Sequence, residues 1–133
     1  MTDIHSELIY LQAFRDAVDE AGIVAINDTK GRILDVNDNF CQISGYTREE
    51  LIGSDHRILR SDQHSNEFFR EMYRTIRRGK TWRGEICNKA KNGRLYWVNT
   101  TIVPMFNDQG KIDGYLALRI DISEQKRLMQ RLQ

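Results

Sequence analysis

The last third of this sequence constrains the fold most. Three apolar-rich runs, Thr81 to Ala90, Leu95 to Met105 and Ile112 to Ile120, are separated only by Lys91-Asn92-Gly93 and Asn107-Asp108-Gln109-Gly110. Connections this short, built from Asn, Asp and Gly, join antiparallel neighbours, so the pattern predicts a three-stranded meander. Alternation within the middle run puts Leu95, Trp97, Asn99, Thr101 and Val103 on one face and Tyr96, Val98, Thr100 and Ile102 on the other. Apolar side chains on both faces predict that both are covered.

The preceding residues must supply that cover. Ile23-Val24-Ala25-Ile26, a turn over Asn27 to Gly31, and Arg32 to Val36 read as a hairpin. Short helical pieces follow. Asn37 is placed to cap a turn holding Phe40, Cys41 and Ile43 before Gly45, and Thr47 with Glu50 has capping-box spacing for Arg48 to Ile52. A polar stretch, Ser54 to Ser65, leads to a longer helix from Asn66 to Arg78 with Phe68, Phe69, Met72, Tyr73 and Ile76 along its apolar side. At the ends, Leu8 to Asp19 spaces Leu8, Leu11, Phe14, Ala17 and Val18 as an amphipathic helix, and Ser123 to Gln133 is polar and helix-forming with no stop signal. That last helix is expected to continue into another domain. The class is α+β.

Composition removes several functions. A chain of 133 residues fits one core domain, and 20 Lys+Arg against 19 Asp+Glu leave a charge of +1, without the footprint of a nucleic-acid binder. No apolar window approaches the roughly 18–20 residues of a membrane span, and the first residues do not form a signal peptide. Cys41 and Cys87 are far apart and outside any CxxC pattern, so they do not build a disulfide framework or a four-ligand zinc site. A reducing cytoplasm is the expected compartment. No nucleophile elbow, phosphate-cradling glycine loop or paired-carboxylate pattern appears, so an enzyme is not expected.

The stretch Asp35-Val36-Asn37-Asp38-Asn39-Phe40-Cys41-Gln42-Ile43-Ser44-Gly45-Tyr46-Thr47-Arg48-Glu49-Glu50-Leu51-Ile52-Gly53 resembles the characteristic segment of PAS sensory domains, and Asp121-Ile122-Ser123 resembles their closing motif. Trp82-Arg83-Gly84-Glu85-Ile86-Cys87-Asn88-Lys89, Lys91-Asn92-Gly93 and Tyr96-Trp97-Val98 are similar to the flavin-binding subgroup of aerotaxis receptors and nitrogen-fixation regulators. The resemblance covers about Gly22 to Ser123. It implies an N-terminal cap helix over 1–21, a PAS domain over 22–122 and a signalling helix from 123. It further implies a five-stranded antiparallel sheet ordered 2-1-5-4-3, with the helices on one face and FAD in the pocket between. By motif position, Asn37, Arg60, Phe69, Tyr73, Trp82 and Asn88 would line or abut the flavin, with His56 at the pocket entrance. Tyr73 stands where flavin-binding members usually carry tryptophan. His56 occupies the place of the cysteine that light-sensing members need, so adduct photochemistry is not expected.

Read as residues alone, these positions keep alternatives open. Asn88 can pair with the edge of a flavin or lie exposed before a turn. Phe69 and Tyr73, four apart, can wall a planar cofactor or simply fill the core. Trp82 can serve as an electron donor or seal the junction between helix and sheet. His56 and His64 precede the helical face that would meet an iron, which argues against haem. Arg74, Arg77, Arg78, Lys80 and Arg83 read as a solvated helix end. A cofactor-free interaction module and a receptor for a small organic acid or lipid are the rival functions. The Leu8, Leu11, Phe14 and Val18 face needs a partner: a second copy, giving a homodimer through this helix and the sheet, or the chain's own sheet. A C-terminal effector is expected, and the sequence does not name it.

Overall fold

The computed structural model describes residues 3–133. Helix α1, Ile4–Ala21, is capped by Asp3 and leads through Gly22 into strands β1, Ile23–Asn27, and β2, Ile33–Val36. Two short helices follow, α2, Asp38–Ser44, and α3, Arg48–Leu51, then a single 3-10 turn, His56–Leu59. The long helix α4, Asn66–Arg77, crosses to β3, Trp82–Lys89, β4, Leu95–Phe106, and β5, Ile112–Asp121, and the chain closes with α5, Ser123–Arg131. The sheet is antiparallel and ordered β2-β1-β5-β4-β3, as the resemblance implies. The meander places β5 beside β1, so the first and last strands meet at the centre, with Ile23 opposite Arg119 and Asn27 opposite Tyr115.

One face of the sheet holds the core. Tyr96, Val98, Thr100 and Ile102 of β4 are buried beneath the helices, together with Ala25, Phe40, Leu51, Leu59, Phe69, Met72 and Ile76. Fully burying each large apolar side chain contributes roughly 1.5–3 kcal/mol, so these contacts hold the helices on the sheet. The other face corrects the expectation of two covered sides. Leu95, Asn99 and Val103 are exposed there and Trp97 is half-buried. Polar Asn99 and Thr101 interrupt the apolar positions, so that face carries no continuous surface to bury. Helix α1 has no buried residue; Phe14 and Val18 face a groove across Val24, Ile26, Leu116 and Leu118, while Leu8 and Leu11 are exposed.

Local capping sets the short helices. Thr47 Oγ1 accepts from the Glu50 N–H and Glu50 Oε1 accepts from the Thr47 N–H, which completes the predicted capping box. Asn37 does more than cap. Its Oδ1 accepts from Phe40 N–H at 3.2 Å and from Val24 N–H at 3.0 Å, while its Nδ2 donates to Gly22 O at 2.8 Å. One amide therefore ties α2 to the start of β1 and to the α1–β1 joint.

Asn37→Ala is expected to lower unfolding stability by about 2 kcal/mol, because it removes a helix cap and leaves half-buried backbone groups unpaired. Asn39→Ala, whose amide only donates to the carbonyls of Asp19, Glu20 and Gly22, should cost less. Urea denaturation of the two variants measures the difference, and equal losses would count against the bridging role.

Candidate functional site

A cavity of about 230 Å³ lies between α4 and the covered face of the sheet. Helix α4 contributes Phe69, Met72, Tyr73 and Ile76 as an apolar and aromatic wall. The sheet contributes Ile86 and Asn88 from β3, Ile102 from β4, and Tyr115, Ala117 and Arg119 from β5. Period-two alternation puts those three β5 side chains on one face. The 3-10 segment supplies His56 and Arg60, and β1 ends in the cavity with Asn27. Exposed Lys30, Arg57 and Arg77 stand at the mouth.

The aromatic wall is braced from both sides. The Arg60 guanidinium lies 4.0 Å from the centre of the Phe69 ring, and that of Arg77 lies 5.4 Å from the centre of Tyr73. Behind Phe69, His64 stacks on Phe68 with centroids 4.3 Å apart, and its Nε2 accepts from the Cys87 N–H at 2.8 Å. Burial pushes the His64 pKa down, so the neutral ring serves this hydrogen bond. Cys41 and Cys87 are free, and burial pushes both thiols up, away from the reactive thiolate. Among the described residues no group of three or more His, Cys, Asp or Glu side chains is arranged to hold a metal.

The polar end is organised by Arg119, which is only 4% exposed. Its Nη2 donates to His56 Nε2 at 2.8 Å, and its Nε and Nη1 have no partner. Burial lowers its pKa to about 10, so it remains a cation at neutral pH. His56 is held well below its ordinary value, first by burial and then by the Arg119 charge. This contact also fixes the tautomer. A guanidinium only donates, so Nε2 accepts and the neutral ring carries its proton on Nδ1. The Asn27 amide lies 3.0 Å from Nδ1, and by that logic it turns its oxygen to the ring. The amide's other atom is buried without a partner.

Five of the seven residues implied by the resemblance therefore meet in the cavity: His56, Arg60, Phe69, Tyr73 and Asn88. Asn88 is buried on β3 opposite Tyr96, and its backbone bridges to Arg60. Two do not line it. Asn37 is spent on β1 and α2 as described, because a capping amide facing the strand joint cannot also face the cavity. The Trp82 ring lies over Gly84 of its own strand, where a Cβ would come within 2.5 Å of it, and meets Phe68 edge-on. It thus packs against β3 and α4, outside the cavity lining. His56 lines the cavity with its Nε2 2.8 Å from Nη2 of buried Arg119. Arg119 and Asn27 were not foreseen. The available signal was a charged residue in phase with Tyr115 and Ala117 on a buried strand face.

A family model described as "PAS domain" matches residues 20–124. The nitrogen fixation regulatory protein of Klebsiella pneumoniae is 36% identical over 120 residues, covering 90% of this chain and 24% of that protein. The aerotaxis receptor of Escherichia coli K12 is 35% identical over 108 residues, covering 81% of this chain and 21% of the receptor. The chain thus spans about a quarter of the length of these curated relatives. Among solved structures, the PAS domain of a protein from Colwellia psychrerythraea superposes with a TM-score of 0.74 at 25% identity, over 86% of this chain and 98% of that one.

The half-buried His56 gives a pH prediction. Its folded pKa lies below the unfolded value of roughly 6.5, so the unfolded chain binds more protons as pH falls, and stability drops with it. The loss should begin below about pH 6.5, with a slope of up to about 1.4 kcal/mol per pH unit from one such group. His64 adds a contribution of the same sign, whereas the carboxylates of Glu50 and Asp55, held low by their hydrogen bonds, act only at lower pH. Denaturation midpoints between pH 7.5 and 5 should fall less steeply for His56→Gln; parallel curves would reject the assignment.

Proposed function

The chain belongs to the PAS domain family, and from that premise we propose that it is a sensory module holding the ring of FAD in the cavity and reporting redox state or oxygen through α5. The observation that carries this reading is the composition of the cavity: an aromatic wall on one side, buried amide and guanidinium donors on the other, and a cationic mouth. Those residues fit a planar ring with an acceptor-rich edge and a phosphate-bearing tail. The volume supports the same division. About 230 Å³ is below the roughly 300–1,000 Å³ typical of complete small-molecule sites, so the cavity would hold a ring, and Lys30, Arg57 and Arg77 would be available to the phosphates of a dinucleotide.

When bound, the flavin supplies reversible electron transfer. The protein's part is to position and to respond. Phe69 and Tyr73 orient the ring plane, Asn88 offers an amide to its edge, and Met72, Ile76 and Ile102 exclude water. The route outward runs along β5. Asp121 Oδ1 accepts from the Ser123 N–H at 3.0 Å, and Ser123 Oγ accepts from the Trp97 N–H at 2.9 Å. Lys126 pairs with Glu85 and lies over the Trp97 ring, so the first turns of α5 are tied to β3 and β4. A homodimer through the apolar stripe of α1 and the adjoining sheet groove, and an effector following α5, complete the proposal.

Protein purified with added FAD should show the flavin's visible absorption band. Asn88→Ala should weaken FAD binding by roughly 10-fold through the lost hydrogen bond, while Asn39→Ala, outside the cavity, should not change it. A colourless protein that takes up no FAD would reject the flavin assignment.

A further inference from the structure

We propose that Arg119, with His56 and Asn27, forms an anion-receiving subsite within the cavity, so that the pocket selects planar ligands bearing negative charge. The proposal rests on the reading of this cavity as a ligand site and deepens it by naming the charge its occupant carries.

The case is one of unmatched donors. Arg119 is 4% exposed, and two of its three guanidinium nitrogens have no partner. The third bonds to a histidine that accepts on Nε2 and is therefore neutral. With its oxygen turned to the His56 Nδ1–H, the Asn27 amide leaves its nitrogen as a further unpartnered donor on the cavity wall. Every orphaned group at this end thus seeks an acceptor.

Nothing nearby supplies the countercharge. Asp28 Oδ1 accepts from the N–H groups of Lys30 and Arg32, each at 2.9 Å. Asp55 Oδ1 accepts from the Arg57 N–H at 2.8 Å and from its Nε at 3.3 Å. Among the described residues no carboxylate forms an ion pair with Arg119. Tyr96, pushed up to about 12 mainly by burial, stays a neutral phenol. The face of Phe40, 5.5 Å from the guanidinium carbon, offers only its quadrupole. A buried cation without a partner is costly, and an entering anion with two or three acceptor positions relieves that cost. A flavin qualifies because its ring gains negative charge on reduction. A free aryl carboxylate qualifies because it carries the charge already.

Benzoate and benzamide share size and shape and differ in charge, so they test the subsite on the unmodified chain. The full chain as purified is titrated with each, following the backbone amide signals of Ala117 and Arg119; a flavin-loaded preparation is read by displacement of its flavin. Benzoate should bind at least about 10-fold more tightly than benzamide, and Arg119→Met should reduce that preference to about 2-fold or less. Equal affinities on the unmodified chain, binding of neither probe, or a preference that survives Arg119→Met would overturn the proposal. The two assignments separate cleanly. A chain that takes up no flavin but prefers benzoate keeps the anion subsite and loses the flavin, and a yellow chain without that preference does the reverse.

Discussion

The burial of Arg119 is the constraint around which the cavity end is organised. A guanidinium cannot shed its proton to lower its cost, and this one sits on the central strand pair of the sheet, opposite Ile23 of β1 and Thr100 of β4. The structure brings the 3-10 segment to it. His56 reaches Nη2, and the backbone behind it is held to β2 by Ile33 N–H to Ser54 O, Gly53 N–H to Ile33 O, and His56 N–H to Gly31 O. These bonds keep the segment alongside the strand while its side chains turn inward. A fully apolar end would pack shut; two unsatisfied guanidinium nitrogens and one amide atom mark where it has not.

Short sequence separation decides which features are legible in the sequence. The meander is, because each of its turns is a short run containing Asn and Gly, and the capping box at Thr47 is, because both partners lie within three positions. Strand order was not readable from periodicity, since the central pairing joins Ile23 to Arg119 across most of the chain; the family resemblance supplied it. Asn37 was recognised as a cap, yet its bonds to Val24 and Gly22 are long-range and place it away from the cavity. Phe69 and Tyr73 are legible on the long helix, because their four-residue spacing alone puts them on the same side. Arg119 was missed because a basic residue near a strand end ordinarily reads as its solvated exit.

The covered and open faces of the sheet divide the labour of the domain. Helices α2, α3 and α4 close one face around the cavity. The opposite face keeps Leu116 and Leu118 beneath the groove of α1, with Trp97 reserved for the start of α5. Strands β1, β3, β4 and β5 therefore each send side chains into the cavity from one face, while their other face is turned away from it. Alternation along a strand carries residues to both without any intervening helix.

Energetics favour β5 as the route under the proposed function. A charge-assisted hydrogen bond at Arg119 is worth about 1.5–3 kcal/mol, and coupling between sites in regulated proteins typically amounts to 1–3 kcal/mol. One altered contact in the cavity is thus of the size needed to rebalance the attachment of α5. That attachment consists of few bonds, chiefly Ser123 to Trp97 and Asp121, and the partly exposed Lys126 to Glu85 pair. The core beneath β4, by contrast, is made of fully buried Val98 and Thr100 and would resist displacement. Under the proposed function, a change in charge of the occupant beside Arg119 would be relieved where the strand is least held, at its junction with α5, and not across the packed face.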